Sequence, residues 1–259
     1  MTKAHVRGLE MAYDDAGAGV PVVLLHGFPF NRSLWREQVA VLSQNHRVIT
    51  PDLRGFGETT ATDEPATMET MAEDVAALLD ELKLERVVLG GLSMGGYVAL
   101  AFYRLFPQRV RALMLADTRP QADTEEARRN RETLATRALA EGMQPIADAM
   151  LPKLLTPATQ TERPEIVARV REMIMSTSPV GAAAALRGMA LRRDQTDLLP
   201  EIDVPTLIIV GSEDAITPPQ DAELMHRAIR GSLFKVIAGA GHCSNLERPD
   251  EFNRALTNQ

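Results

Sequence analysis

Short apolar runs rich in β-branched residues alternate along the chain with stretches whose apolar residues recur every three or four positions. Val20–His26, Arg47–Asp52, Arg86–Gly91, Ala112–Ala116 and Thr206–Val210 read as strands. Each is a continuous apolar run, the pattern of a strand buried on both faces. Ser232–Ile237 is less apolar and reads as a strand nearer an edge. Met68–Leu82 is the plainest helix. Met68, Met71, Ala72, Val75, Leu78, Leu79 and Leu82 make one stripe, acidic residues fill the opposite face, and Thr67 suits the N-cap. Helices are also expected near Ser33–Ser43, Met94–Phe106, Pro219–Ile229 and Pro249–Leu256. Alternation of this kind predicts an α/β fold, a mostly parallel sheet with helices on both faces. It breaks once. From Arg119 to Pro200 no strand pattern occurs, and the stretch reads as several helices inserted between two core strands.

Composition narrows the function classes. The 259 residues carry a net charge of −7, which disfavours binding to a nucleic-acid backbone. Cys243 is the only cysteine, so no intrachain disulfide forms and an oxidising compartment is not implied. The first residues lack the apolar core of a signal peptide, and no apolar run reaches the roughly 20 residues of a membrane helix. The expectation is a soluble, cytoplasmic protein. No His, Cys and carboxylate cluster has metal-ligand spacing, no dinucleotide fingerprint is present, and no cofactor is expected.

The chemistry concentrates at Gly91-Leu92-Ser93-Met94-Gly95, a G-x-S-x-G between a predicted strand and a predicted helix. Such a turn lifts the serine hydroxyl above the carboxyl ends of the strands. The competing reading is a glycine-rich turn with a capping serine. A serine nucleophile needs a base, and His242 in Gly239-Ala240-Gly241-His242, after the last strand, is the best placed of five histidines. His26 ends the first buried strand and reads as structural. Asp214, after strand Thr206–Val210, is the preferred orienting acid; Asp117, after the preceding core strand, is the rival. Acyl transfer also needs donors for the developing oxyanion. The backbone N–H groups of Phe28, in His26-Gly27-Phe28-Pro29, and of Met94 are the candidates. Cys243, beside His242, reads as a small packed residue.

HGFPFNRSLW, PDLRGFGET, GGLSMGG, GSEDAITP and GAGHCSNLERP together resemble the α/β-hydrolase superfamily over nearly the whole chain, in the family's order and approximate spacing. The resemblance implies a core of residues 1–118 and 201–259 and a helical cap over the site at 119–200. Dehalogenases and epoxide hydrolases of this fold carry an Asp nucleophile where this chain has Ser93. Asp52-Leu53-Arg54-Gly55-Phe56-Gly57 also matches the family and reads as a structural loop.

The cap has no Phe, Tyr or Trp. Any pocket wall it supplies is aliphatic, drawn from Leu139, Met143, Ile146, Met150, Leu151, Leu154, Leu155, Met173, Ile174, Met175, Leu186 and Met189. Its arginines, Arg128, Arg129, Arg131, Arg137, Arg169, Arg171, Arg187, Arg192 and Arg193 among them, are expected on solvated faces, with the alternative that one turns inward to hold a substrate carboxylate. Cap and tail resemble, more loosely, the 3-oxoadipate enol-lactonase-like branch, and HGFP and SMGG also resemble cofactor-free haloperoxidases. The leading expectation is a serine esterase or lactonase acting on a small molecule. The alternatives are perhydrolysis on the same residues and a slow-turnover ligand sensor.

Overall fold

The computed structural model describes residues 2–257. Its strands are β1 (Thr2–Val6), β2 (Leu9–Ala16), β3 (Val20–Leu25), β4 (His46–Pro51), β5 (Val87–Leu92), β6 (Val110–Ala116), β7 (Thr206–Gly211) and β8 (Leu233–Ile237). They form one sheet in the order β1-β2-β4-β3-β5-β6-β7-β8. From β4 to β8 all neighbours are parallel; β2 pairs antiparallel with β1 and β4. This is the mostly parallel sheet that the alternation predicts.

The six predicted strands occur, and Ser232–Ile237 falls at an edge as β8. The hairpin β1–β2 is absent from the sequence reading. Val6 pairs with Leu9, and Arg7 and Gly8 between them have φ of 47° and 79°. Two positive φ values make the tight primed turn that matches the twist of paired strands. Leu9, Met11 and Tyr13 alternate and are buried, but the short half-polar run was masked by its charged neighbours.

Helix α1 (Arg36–Leu42), preceded by a 3-10 turn at Arg32–Trp35, lies with α11 (Pro249–Thr257) on one face of the sheet. Helices α2 (Met68–Glu81) and α3 (Met94–Leu105) lie on the other. Thr67 caps α2, its hydroxyl accepting from Thr70 N at 3.1 Å. Between β6 and β7 come α4 (Glu125–Glu141), α5 (Gln144–Leu154), α6 (Pro157–Glu162), α7 (Pro164–Met175) and α8 (Pro179–Ala190), with no strand among the described residues. Helix α8 presses on the loop after β4 so closely that a Cβ at Gly181 would sit 1.9 Å from Gly55 O. Then follow α9 (Pro219–Ala228), against β7 and β8, and the short α10 (Ser244–Glu247), which the sequence pattern does not predict.

Register sets where loops emerge. Leu25 pairs with Gly91, Leu92 with Ala116, Ala116 with Ile209 and Gly211 with Ile237. The turns carrying Gly27, Ser93, Asp117, Asp214 and His242 therefore all leave the same carboxyl edge of the sheet.

Candidate active site

Ser93 follows β5 without a spacer and has φ 54°, ψ −116°, a conformation that L side chains rarely adopt. The chain can turn this sharply because its neighbours lack side chains. A Cβ at Gly91 would lie 2.1 Å from Gly95 O, and one at Gly95 would lie 2.2 Å from Leu25 O. The Ser93 backbone is fixed on both sides: its N–H donates to Ala116 O at 2.9 Å, and Thr118 Oγ1 donates to its carbonyl at 2.8 Å. Its hydroxyl makes no capping hydrogen bond to α3, which removes the capping-serine reading.

The β3 turn lies directly against this elbow. An ideal Cβ on Gly27 would fall 3.2 Å from Ser93 Cβ. The next peptide is that of Phe28, whose buried ring meets Phe56 edge-on at 6.0 Å. Met94 opens α3, so its N–H belongs to the first turn, where helix donors lack intrahelical acceptors and the dipole is positive. His26 is structural. Its Nε2 accepts from Leu53 N at 3.0 Å, which leaves Nδ1–H to donate to Gly27 O at 2.9 Å. Burial lowers its pKa and keeps it neutral.

His242 and Asp214 are both buried and in contact, with Nδ1 2.8 Å from Oδ2 and 3.0 Å from Oδ1. Asp214 Oδ1 also accepts from Ile216 N at 2.8 Å and Thr217 N at 3.0 Å, and Oδ2 from Thr217 Oγ1 at 2.8 Å. Burial alone would raise the Asp214 pKa. The charge and hydrogen bond of His242, with the Thr217 bonds, outweigh it and hold the carboxyl below its ordinary value. Burial would likewise lower His242, and the charge and hydrogen bond of Asp214 outweigh it, so the imidazole sits above 6.5. A carboxylate on Nδ1 fixes the tautomer with the lone pair on Nε2.

Asp117, the rival acid, is equally buried but does not reach His242. Its Oδ1 accepts from Gly211 N at 2.8 Å and its Oδ2 from Ser244 Oγ at 2.5 Å. Burial, and then the nearby Asp214 charge, push its pKa well above the carboxylate range. The Cys243 thiol is fully buried and pushed well up by that burial, as suits a packed side chain.

The PDLRGFG loop is held by ion pairs. Arg32 meets buried Asp52, and Arg54 meets buried Asp74 through two bonds of 2.7 Å. Of the aliphatic residues expected to face inward from 119–200, Leu139 and Met175 instead turn to solvent, at 48% and 43% exposure. The arginines are mostly paired with acids. Arg129, Arg137, Arg171, Arg187 and Arg193 meet surface carboxylates, and Arg169 meets Glu37. The buried one, Arg192, shares Asp123 with Arg131, donates to Gln121 O and lies 4.3 Å from the centre of the Tyr97 ring. Among the described residues no cluster of three or more His, Cys, Asp or Glu could hold a metal, and no helix is long and apolar enough to cross a membrane.

Comparison with known proteins shows the family. The family model described as alpha/beta hydrolase fold matches residues 20–249. A solved esterase from Thermogutta terrifontis, with malate bound, is 46% identical and superposes with a TM-score of 0.97, over 99% of this chain and 96% of that one. The 3-oxoadipate enol-lactonase 2 of Acinetobacter baylyi is 30% identical over 87% of this chain and 83% of its own length. A bromoperoxidase structure from Bacillus anthracis is 28% identical with a TM-score of 0.85, over 96% of this chain and 94% of that one.

Proposed function

Because the chain belongs to the α/β-hydrolase family, we propose that it is a serine hydrolase of carboxylic esters or lactones, with Ser93 as nucleophile, His242 as base and Asp214 as orienting acid. The observation that carries the reading is the buried Asp214–His242 bond of 2.8 Å, at the same sheet edge as a strained serine whose hydroxyl caps nothing. Ser93 Oγ attacks the carbonyl carbon as His242 Nε2 takes its proton. The N–H groups of Phe28 and Met94 receive the oxyanion. His242 then returns the proton to the leaving alkoxide. A water, deprotonated by the same nitrogen, releases the acid and frees Ser93.

Residues 119–200 act in this reading as an aliphatic cap over the acyl group. Arg192 is engaged by Asp123 and Tyr97, and most other cap arginines by carboxylates. Esterase and lactonase relatives both support the class. The likeness to a bromoperoxidase keeps perhydrolysis as a second outcome of the same acyl-enzyme, read by the ratio of peracid to acid when peroxide is added.

The test is hydrolysis of p-nitrophenyl esters from acetate to decanoate by the wild type, Ser93→Ala and His242→Ala. Each variant is expected to lose about 10⁴-fold or more in kcat. Turnover that survives in Ser93→Ala would end the proposal. A folded wild type inert on every ester and lactone would point to the ligand-sensor alternative.

A further inference from the structure

His242 lies in a loop held at each residue from Gly241 to Ser244. Gly241 N–H donates to Glu247 Oε1 at 2.7 Å, and Cys243 N–H donates to Leu154 O at 3.0 Å. His242 meets Asp214, and Ser244 Oγ meets Asp117. Two of these anchors, Asp214 and Asp117, come from the core. The other two lead into the 119–200 insert: one directly at Leu154, one through Glu247.

Glu247 is the unusual member. It is 1% exposed, and its second oxygen accepts from Thr156 N at 2.9 Å and from Thr156 Oγ1 at 3.0 Å. Thr156 is itself immobilised, because its hydroxyl accepts from Thr159 N at 3.1 Å as the N-cap of α6. Arg163 Nη1 closes the junction on the Glu247 carbonyl at 3.0 Å. A carboxylate is costly to bury unless its oxygens are satisfied, and here every partner of those oxygens is a donor. Only a side chain with two acceptor oxygens can take Gly241 N–H on one side and Thr156 on the other. Glutamine offers one acceptor and would turn an N–H toward an N–H.

We propose that Glu247 is a positioning residue that seats His242, by joining the loop before it to Thr156 of the cap. The proposal rests on His242 acting as the base. It makes residues 154–163 part of the catalytic framework: lifting them would carry His242 away from Ser93, so any opening for substrate occurs elsewhere in the cap.

The test compares Glu247→Gln, Thr156→Ala and Thr156→Ser with the wild type, by ester kinetics and by NMR of the His242 Nδ1 proton shared with Asp214. Glu247→Gln is expected to lower kcat about 10- to 100-fold with KM held within about twofold, the signature of a displaced base and an intact pocket. Thr156→Ala should lose about 3- to 10-fold, and Thr156→Ser should restore it. The Nδ1 resonance should shift or broaden in Glu247→Gln and Thr156→Ala. Should Glu247→Gln fail to fold, the Thr156 pair decides alone. Folded variants with wild-type kcat and an unmoved resonance overturn the proposal, as does a loss that Thr156→Ser fails to restore. Because the resonance needs no turnover, a wild type that hydrolyses nothing while the resonance still moves would remove the proposed activity and leave the seating role standing.

Discussion

Two buried aspartates emerge from adjacent strands within a short distance of one imidazole, and their partners separate their roles. Asp214 gives both oxygens to His242, whereas Asp117 faces Gly211 N–H and the Ser244 hydroxyl. Asp214→Asn is expected to lower kcat by about 10³- to 10⁴-fold, since an amide no longer fixes the tautomer that leaves Nε2 free. Asp117→Asn should keep kcat within about threefold. Its carbonyl can still accept from Gly211 N–H and its amide can donate to the Ser244 hydroxyl oxygen, so both contacts persist. Assay of the two variants side by side on one ester checks both expectations, and the reverse ranking would transfer the acid role to Asp117. The pH profile follows from the same residues. In the proposed mechanism the base works only when neutral, and Asp214 raises the His242 pKa despite burial. The acid limb of kcat/KM should therefore lie above 6.5, with activity lost as pH falls through it. In Asp214→Asn the limb should move to lower pH, because burial then dominates. The sequence could offer both aspartates as candidates because both follow apolar strands. It could not choose between their partners, since the contacts span 28 residues in one case and 127 in the other.

At the scale of elements, legibility tracked how completely each segment is buried. The central strands are apolar on both faces, and their periodicity alone marked them. Helix α2 combined a regular stripe with a capping threonine. Replacing Thr67 by Ala should cost about 1 kcal/mol, measured by denaturant unfolding, with no change in catalysis, because only the Thr70 N–H and hydroxyl lose their partner. The β1–β2 hairpin escaped because Arg7-Gly8 is a less familiar primed turn than Asn-Gly and because its strands are half polar. Helix α10 escaped because four residues carry no period. It is held instead by distant groups, with Asn245 Nδ2 donating to Leu34 O at 3.0 Å and Glu247 reaching Thr156. Such links join residues far apart in the chain and leave no local trace. The arginines of 119–200 show the same limit: their abundance is legible, but the burial of Arg192 against Asp123 and Tyr97 is not.

For the molecule as a whole, a single sheet edge collects loops from five strands, and the inserted helices are tied to the core through the Glu247–Thr156 junction and the Arg192–Tyr97 contact. Global stability therefore bears the local cost of the site. The backbone dihedral angles that present Ser93 are ones a glycine would occupy without penalty, and strain of this type amounts to about 1–3 kcal/mol. Ser93→Gly should consequently be inactive yet melt higher than both the wild type and Ser93→Ala. The gain should be about 1 kcal/mol once the greater freedom of glycine in the unfolded chain is subtracted. Ser93→Ala keeps the strained backbone and loses only the hydroxyl, so the difference in Tm between these two inactive proteins removes the hydroxyl from the comparison. Selection for thermal endurance without selection for turnover would then be expected to erase this serine in favour of glycine.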